Sequence, residues 1–411
     1  MSCDAGASID FCFRCSMSLN ALLKRGPFAK APARILVVCT RRIGDVLLTT
    51  PLIRSLKKKW PGAAIDMLVF RGTEGVLKGN PDLHEVIAVA HRQPWRQTLR
   101  DLGSIRGKYD IAITAMSSDR SRMYLWMGGR WRLGVVEAKL RDWPKRLMLS
   151  RAMTIPDDGS HVVQDSMRIA REMAAVPTGE VVPPVPTEAE RQQLRQSLAP
   201  LAGRAYAVLH LRPKYRYKMW TDDGWFALAQ WLQQRGLAVV LTGGGDADEL
   251  TYVDALAQRL PGMLNLAGKL SFAQTAALIA SAELYVGPDT ATTHTAAATG
   301  TPVVTMFGPT PPDRWGPWPH TWDSLDNPWQ RRGSAHRGNV YLVQGPGECV
   351  PCGEEGCDRH LDSDSACLQN LPASQVIAAA QVMLELKRCK QGAKDVERAV
   401  SVPAAPPHAE R

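Results

Sequence analysis

No run of about eighteen consecutive apolar residues occurs in this chain, which leaves it without a helix able to cross a membrane. A Walker A string and a His-Glu-x-x-His pair are both missing, which argues against P-loop phosphate chemistry and zinc-protease chemistry. The Gly-x-Gly-x-x-Gly fingerprint does not follow the first apolar strand, which counts against a nicotinamide dinucleotide enzyme. Nor does any nucleic-acid-binding motif accompany the basic charge, so nucleic acid is not an expected partner. The opening segment also lacks a secretory pattern: Asp4 and Asp10 precede a broken apolar stretch, with no small-residue cleavage site. The expectation is a cytoplasmic protein with a poorly ordered extension over residues 1–32.

Acidic residues are outnumbered: 50 Lys and Arg stand against 40 Asp and Glu, a formal charge of +10. Such an excess suits an anionic partner, whether nucleotide phosphates, a phosphorylated glycolipid or a membrane surface. Part of it lies between Arg130 and Arg151, where Arg132, Lys139, Arg141, Lys145 and Arg146 accompany Trp131 and Trp143. That stretch reads either as a solvated basic face or as a surface that sits beside a bilayer.

At 411 residues, with 45% of them hydrophobic, the chain can bury two cores. Apolar runs bounded by turn signals alternate with helical patterns, so parallel sheets with crossover helices are expected. Strands are expected at 35–39, 64–70, 86–89 and 109–114, with one helix from Gly44 to Trp60 after the first. The stretch Val176 to Glu188 holds Pro177, Pro183, Pro184 and Pro186 and reads as a linker. A second series of strands follows at 206–211, 237–242, 284–287 and 302–307. The resulting partition is a first domain at 33–180, a second at 181–372, a closing helix at 373–390 and a disordered tail at 391–411. Two consecutive doubly wound domains would carry ligands at the carboxyl ends of their strands, facing a central cleft.

Five strings can carry chemistry. The first, Cys39-Thr-Arg-Arg-Ile-Gly-Asp45, joins the first strand to the first helix. Gly44 permits a tight turn there, and Asp45 either removes a proton from an acceptor hydroxyl or caps the helix. In the second, Gly287-Pro-Asp-Thr-Ala-Thr-Thr-His294, free N–H groups, hydroxyls and the helix dipole suit a pyrophosphate, and His294 can donate to an oxygen. A capped helix with a satisfied histidine is the plain alternative. The third, Phe307-Gly-Pro-Thr-Pro-Pro-Asp313, is a sharp turn one βα unit further on. The fourth, Leu211 to Trp220, brings Arg212, Lys214, Arg216 and Lys218 to a strand end, as cations for a diphosphate. It pairs with the glycine run ending at Gly245, where a base or ribose can approach the backbone.

The fifth string is Cys349, Cys352, Cys357 and Cys367, with His360 as a substitute ligand. Nine cysteines in a cytosolic chain do not suit structural disulfides, and these four fit a structural zinc or iron. Cys12 and Cys15 form a second pair without partners. Asp362-Ser-Asp364 has the form of a metal-binding Asp-x-Asp but does not follow a strand.

Taken in order, IGDVLLTTPLIRSLKKKWP, GPDTATTHTAAATGTPVV and FGPTPPDRWGPW resemble glycosyltransferase family 9, the ADP-heptose:lipopolysaccharide heptosyltransferases, from about Arg34 to Leu386. The resemblance implies an α/β chain of GT-B fold with two Rossmann-like domains, acceptor on the first and donor on the second. It implies inverting transfer of heptose from ADP-L-glycero-D-manno-heptose to the anionic lipopolysaccharide inner core, with no cofactor required for catalysis. It also implies work at the cytoplasmic face of the inner membrane, where peripheral attachment would bring the enzyme to its acceptor.

By the same resemblance Asp45 is the catalytic base, with Arg42 and Gly44 beside it on the acceptor side. Lys218 is the phosphate-binding lysine, and Asp289, Thr290, Ala291 and His294 form the donor loop. Ala291 stands where the family often has glycine, and its methyl narrows the backbone approach. Three rivals share parts of this pattern: a protein (autotransporter) heptosyltransferase, a nucleotide-sugar epimerase or hydrolase, and a non-catalytic scaffold.

Overall fold

The structure is a computed structural model and describes residues 30–400 apart from 93, 116, 138–142, 157, 260, 261 and 323. The N-terminal extension up to residue 29, Cys12, Cys15, Lys139 and Arg141 therefore lie outside the described residues, as do residues 401–411. The chain divides into two compact units. One runs to Val185 and takes back Thr321–Asn327; the other comprises Pro186–His320 and Pro328 onward. The division falls inside the proline-rich stretch, five residues beyond the boundary expected at 180. The return of 321–327 to the first unit has no counterpart in the sequence reading.

The first unit is a six-stranded sheet: β1 (Arg34–Cys39), β2 (Ala64–Phe70), β3 (Glu85–Val89), β4 (Tyr109–Thr114), β5 (Gly129–Val135) and β6 (Arg151–Met153). Its order is β3-β2-β1-β4-β5-β6, and each adjacent pair is parallel. β1 reads RILVVC, and Ile35 to Cys39 are all buried, so both faces of the strand are covered. The strand order reverses between β1 and β4, so the segment after β1 opens at the switch point where such sheets bind ligands.

The single helix expected from Gly44 to Trp60 is two helices, Ile43–Leu48 and Thr50–Lys59. Pro51 explains the break: its ring has no N–H to continue the ladder but suits the first turn of a new helix. Lys57, Lys58 and Lys59 close the second helix, where cations favour the carbonyl end.

The second unit repeats the scheme. Its strands are β7 (Tyr206–His210), β8 (Ala238–Thr242), β9 (Leu264–Asn265), β10 (Leu284–Pro288), β11 (Val303–Phe307), β12 (Ala335–Arg337) and β13 (Val340–Gln344). The order is β12-β13-β11-β10-β7-β8-β9, parallel except for β12 against β13. Without that edge strand the order matches the first sheet, with the reversal between β7 and β10. Trp220 and Trp225 meet edge to face at 5.0 Å in the core. Truncating either would cost roughly 3–5 kcal/mol.

The closing helix Ala373–Val400 lies against β10, β11 and β13 and the helix Asp222–Gln234. It continues past residue 390, into the segment expected to be a disordered tail. Among the described residues, no helix is long and apolar enough to cross a membrane.

Candidate active site

In the first unit the switch-point segment is short. Arg42 is the N-cap of Ile43–Leu48, in extended conformation and without a side-chain cap bond. Gly44 and Asp45 are the second and third helical residues, so Gly44 is part of the helix rather than of a turn before it. Asp45 is likewise not the cap: its carboxylate lies in the first turn, where the helix dipole favours negative charge. Its backbone carbonyl accepts the Thr49 hydroxyl at 2.8 Å. Beneath it the Cys39 thiol is buried, and burial together with the Asp45 carboxylate pushes its pKa up to about 12. Thr40 Oγ1 and Ser121 Oγ are hydrogen-bonded at 2.7 Å, tying the end of β1 to the helix after β4. Sequence reasoning passed over that pair because small hydroxyls carry no spacing signal.

In the second unit the second, third and fourth strings meet around Asp289. β7, β10 and β11 are neighbours, so the segments that follow them share one edge of the sheet. Lys218, in the turn Arg216–Lys218, donates through Nζ to Asp289 Oδ2 at 2.5 Å, with both side chains largely buried. Burial alone would raise the Asp289 pKa; the Lys218 ammonium, with His294 and the Thr310 hydroxyl, outweighs it and holds the carboxyl below its ordinary value. Asp289 is therefore ionised at neutral pH.

Thr290 caps the helix Ala291–Thr299, its hydroxyl accepting from Thr293 N–H at 3.3 Å. Ala291 opens that helix and is half-buried, while His294 is 6% exposed in its first turn. His294 Nε2 lies 3.9 Å from Asp289 Oδ1, too far for a hydrogen bond, and its Nδ1 is buried without a partner. Burial pushes its pKa down to about 4 despite the Asp289 carboxylate, so the imidazole is neutral at pH 7. The satisfied histidine of the plain alternative is not what the structure contains.

Tyr285, which the sequence reading missed, donates to or accepts from Thr293 Oγ1 at 2.9 Å. Gly287 makes this possible, since a Cβ there would lie 2.4 Å from the Tyr285 hydroxyl.

Arg212 and Gly245 fall in a second group beyond β7 and β8. The Arg212 guanidinium stands 5.8 Å over the Tyr252 ring and acts electrostatically on Glu249. Glu249 accepts from Gly244 N–H at 2.8 Å, and burial raises its pKa. Gly243 and Gly244 are the tight positions, since a Cβ added at either would lie 2.9 Å from that carboxylate, whereas nothing lies within 4 Å of a Cβ built on Gly245. Glu249 was missed because it lies five residues after Gly244, inside the helix Ala247–Arg259. Of the other cations, Lys214 is exposed and Arg216 is bound by Asp364 through two 2.9 Å bonds. That pairing accounts for Asp364 without a metal.

Cys349, Cys352 and Cys357 are exposed and Cys367 is buried. Burial pushes the Cys367 thiol up to about 11, and the other three cysteines add to the shift as like charges. Their sulfurs do not gather: among the described residues, the group of three or more His, Cys, Asp or Glu with ligand atoms within 4.8 Å is Asp66, His84 and Glu85. There Asp66 already serves Arg34, Tyr109 and His84. The cysteine spacing thus predicts a tighter cluster than the structure holds.

Within the basic-aromatic stretch Arg130, Arg146 and Arg151 are exposed, whereas Trp131 and Arg132 are half-buried and Lys145 lies 3.4 Å from Asp119. Among the described residues, Trp95 and Trp126 are the large exposed aromatics, 67% and 55% exposed.

A family model described as glycosyltransferase family 9 (heptosyltransferase) matches residues 98–340. Lipopolysaccharide heptosyltransferase 3 of Escherichia coli K12 is 28% identical over 364 residues, covering 83% of this chain and 95% of that relative. Lipopolysaccharide heptosyltransferase 1 of Pseudomonas aeruginosa is 26% identical over 337 residues, covering 79% and 87%. The solved ADP-heptose lipopolysaccharide heptosyltransferase II of E. coli superposes with a TM-score of 0.67 at 20% identity, covering 86% and 99%; that likeness speaks to the fold.

Proposed function

The chain belongs to glycosyltransferase family 9 and is a glycosyltransferase of GT-B fold, and from that premise we propose that it moves heptose from ADP-L-glycero-D-manno-heptose to the lipopolysaccharide inner core. The observation that carries the reading is the Lys218–Asp289–His294 group at the start of the helix Ala291–Thr299. A cation, free backbone N–H groups and a neutral imidazole with an unpartnered ring nitrogen together suit a diphosphate. As the sugar leaves, negative charge grows on the ADP oxygen, and Lys218 with the helix start stabilises it.

In the same reading Asp45 takes the proton of an acceptor sugar hydroxyl, with Arg42 and Gly44 on the acceptor side. The freed oxygen forms a bond to the anomeric carbon on the face opposite ADP, and the bond from that carbon to the phosphate oxygen breaks. One displacement inverts the anomeric centre, and no step calls on a metal. The experiment is acceptor-dependent release of ADP from ADP-heptose by the purified protein. Release with core acceptor supports the reading. Consumption of ADP-heptose without acceptor would replace it with an epimerase or hydrolase.

Two parts of this reading have their own tests. An anionic, lipid-anchored acceptor calls for attachment at a membrane surface. The helix Trp95–Ile105 turns Trp95 and Leu99 outward, 67% and 56% exposed, beside exposed Arg96 and Arg100. Sedimentation with anionic vesicles should fall in a Trp95→Ala, Leu99→Ala protein, and unchanged sedimentation would move the contact elsewhere. A structural zinc or iron at Cys349, Cys352, Cys357 and Cys367 is supported by the Cys-x2-Cys spacing and opposed by the spread of their sulfurs. About one metal ion per chain, lost in Cys367→Ser, is the expected elemental analysis. Metal-free protein of equal thermal stability would leave these residues as plain thiols.

A further inference from the structure

Lys218 sits in a segment tied along one side to residues 364–371. The Arg216 guanidinium donates twice to Asp364, at 2.9 Å each. The Tyr217 carbonyl accepts from the buried Ser365 hydroxyl at 2.6 Å. The Met219 carbonyl accepts from Gln369 Nε2 at 3.3 Å, and Trp220 Nε1 donates to the Leu371 carbonyl at 2.8 Å. Four of the five residues from Arg216 to Trp220 are thus bonded to the cysteine-bearing segment, and Lys218 reaches the other way, to Asp289.

The same segment also holds the opposite wall. Gly353 N–H donates to the Pro309 carbonyl at 2.8 Å, next to Thr310, whose hydroxyl reaches Asp289. Cys367 lies against Gly308, where an added Cβ would meet its sulfur at 2.8 Å. Inside the segment, the Cys357 sulfur accepts from Ala366 N–H at 3.3 Å, and Cys357 N–H donates to the Asp364 carbonyl at 2.9 Å.

We propose that the segment from Cys349 to Leu371 is a brace for the diphosphate cradle, in which Asp364 and Ser365 are positioning residues that set donor affinity through Lys218. The proposal rests on the donor reading given above and adds the device that keeps Lys218 in place. The physical reason is preorganisation. A lysine has a long, flexible stem, and its worth to a diphosphate depends on a fixed backbone beneath it. A bidentate guanidinium–carboxylate pair fixes orientation as well as distance, and a buried hydroxyl–carbonyl bond prevents rotation of the turn. Neither residue touches Asp289 or His294, so neither takes part in bond making.

The test compares Asp364→Asn and Ser365→Ala with the unaltered protein by ADP titration calorimetry, initial rates over donor concentration, and melting temperature. Expected are a rise of about tenfold in ADP Kd and donor KM, kcat at saturating donor within about twofold, and acceptor KM unchanged. A charge-reversed pair, Arg216→Asp with Asp364→Arg, should recover part of the lost affinity that either single change removes. Wild-type donor KM in variants of wild-type melting temperature would overturn the brace, as would a fall in kcat with KM unchanged. If a single variant fails to fold, the reversed pair decides: recovered folding without recovered ADP affinity also overturns it. Failure of the unaltered protein to bind ADP would instead overturn the donor reading itself.

Discussion

Asp45→Asn will bind ADP-heptose as tightly as the unaltered protein and turn it over about two to four orders of magnitude more slowly. Asparagine matches the shape of the aspartate, and the Thr49 bond is made to the backbone carbonyl, so the helix keeps that contact. The substitution removes a charge from the first turn of Ile43–Leu48, where the helix dipole contributes about 0.3–1 kcal/mol, and on the proposed reading it removes the proton acceptor. The proposed donor residues, Lys218, Asp289 and His294, belong to the other unit, so donor affinity should be unmoved. The measurement is single-turnover transfer with ADP affinity recorded on the same preparation. Full transfer by Asp45→Asn would remove the base assignment, and loss of both binding and transfer would show a structural role instead.

Lys218→Ala should damage the protein twice. It leaves the Asp289 carboxylate buried without its ion partner, a loss of roughly 3–5 kcal/mol for a pair this enclosed. It also removes the cation assigned to the diphosphate, so ADP affinity should fall along with stability. The two effects separate in Lys218→Met with Asp289→Asn. That pair removes both charges, and should recover much of the melting temperature while leaving ADP affinity low. Recovery of both would make the ion pair purely structural.

The pH dependence follows the same pair. The folded pKa of Asp289 lies below its unfolded value of about 3.9, so its contribution is complete above that value. It is lost as pH falls through the lower folded value, and the double variant should not show this loss.

The parallel strands were legible because each is an apolar run bounded by turns: β1, β2, β4 and β8 are buried along nearly their whole length. β5, by contrast, reads GRWRLGV and carries two arginines and two glycines, so no apolar run announces it. β9 has two residues and β12 three, too short for any period. The break at Thr49 was written in Pro51, but helical spacing on both sides outweighed a single proline.

At the site, each residue type pointed to its chemistry, whereas the meeting of the strings was beyond reach. Lys218 and Asp289 are 71 residues apart and Arg216 and Asp364 are 148 apart. Strand order alone makes them neighbours. Asp362-Ser-Asp364 shows the reverse case: a familiar spacing whose second carboxylate serves an arginine. Glu249 and Tyr285 stand in ordinary helix and strand patterns, and only their burial and partners mark them.

The most direct measurement is calorimetric titration of the purified protein with ADP, UDP and GDP, repeated on Lys218→Met/Asp289→Asn. The account predicts binding that favours ADP and is lost in the double variant while its fold persists. Equal binding of ADP by both proteins, or none by the unaltered protein, would contradict the assignment of the Lys218–Asp289–His294 group to the donor.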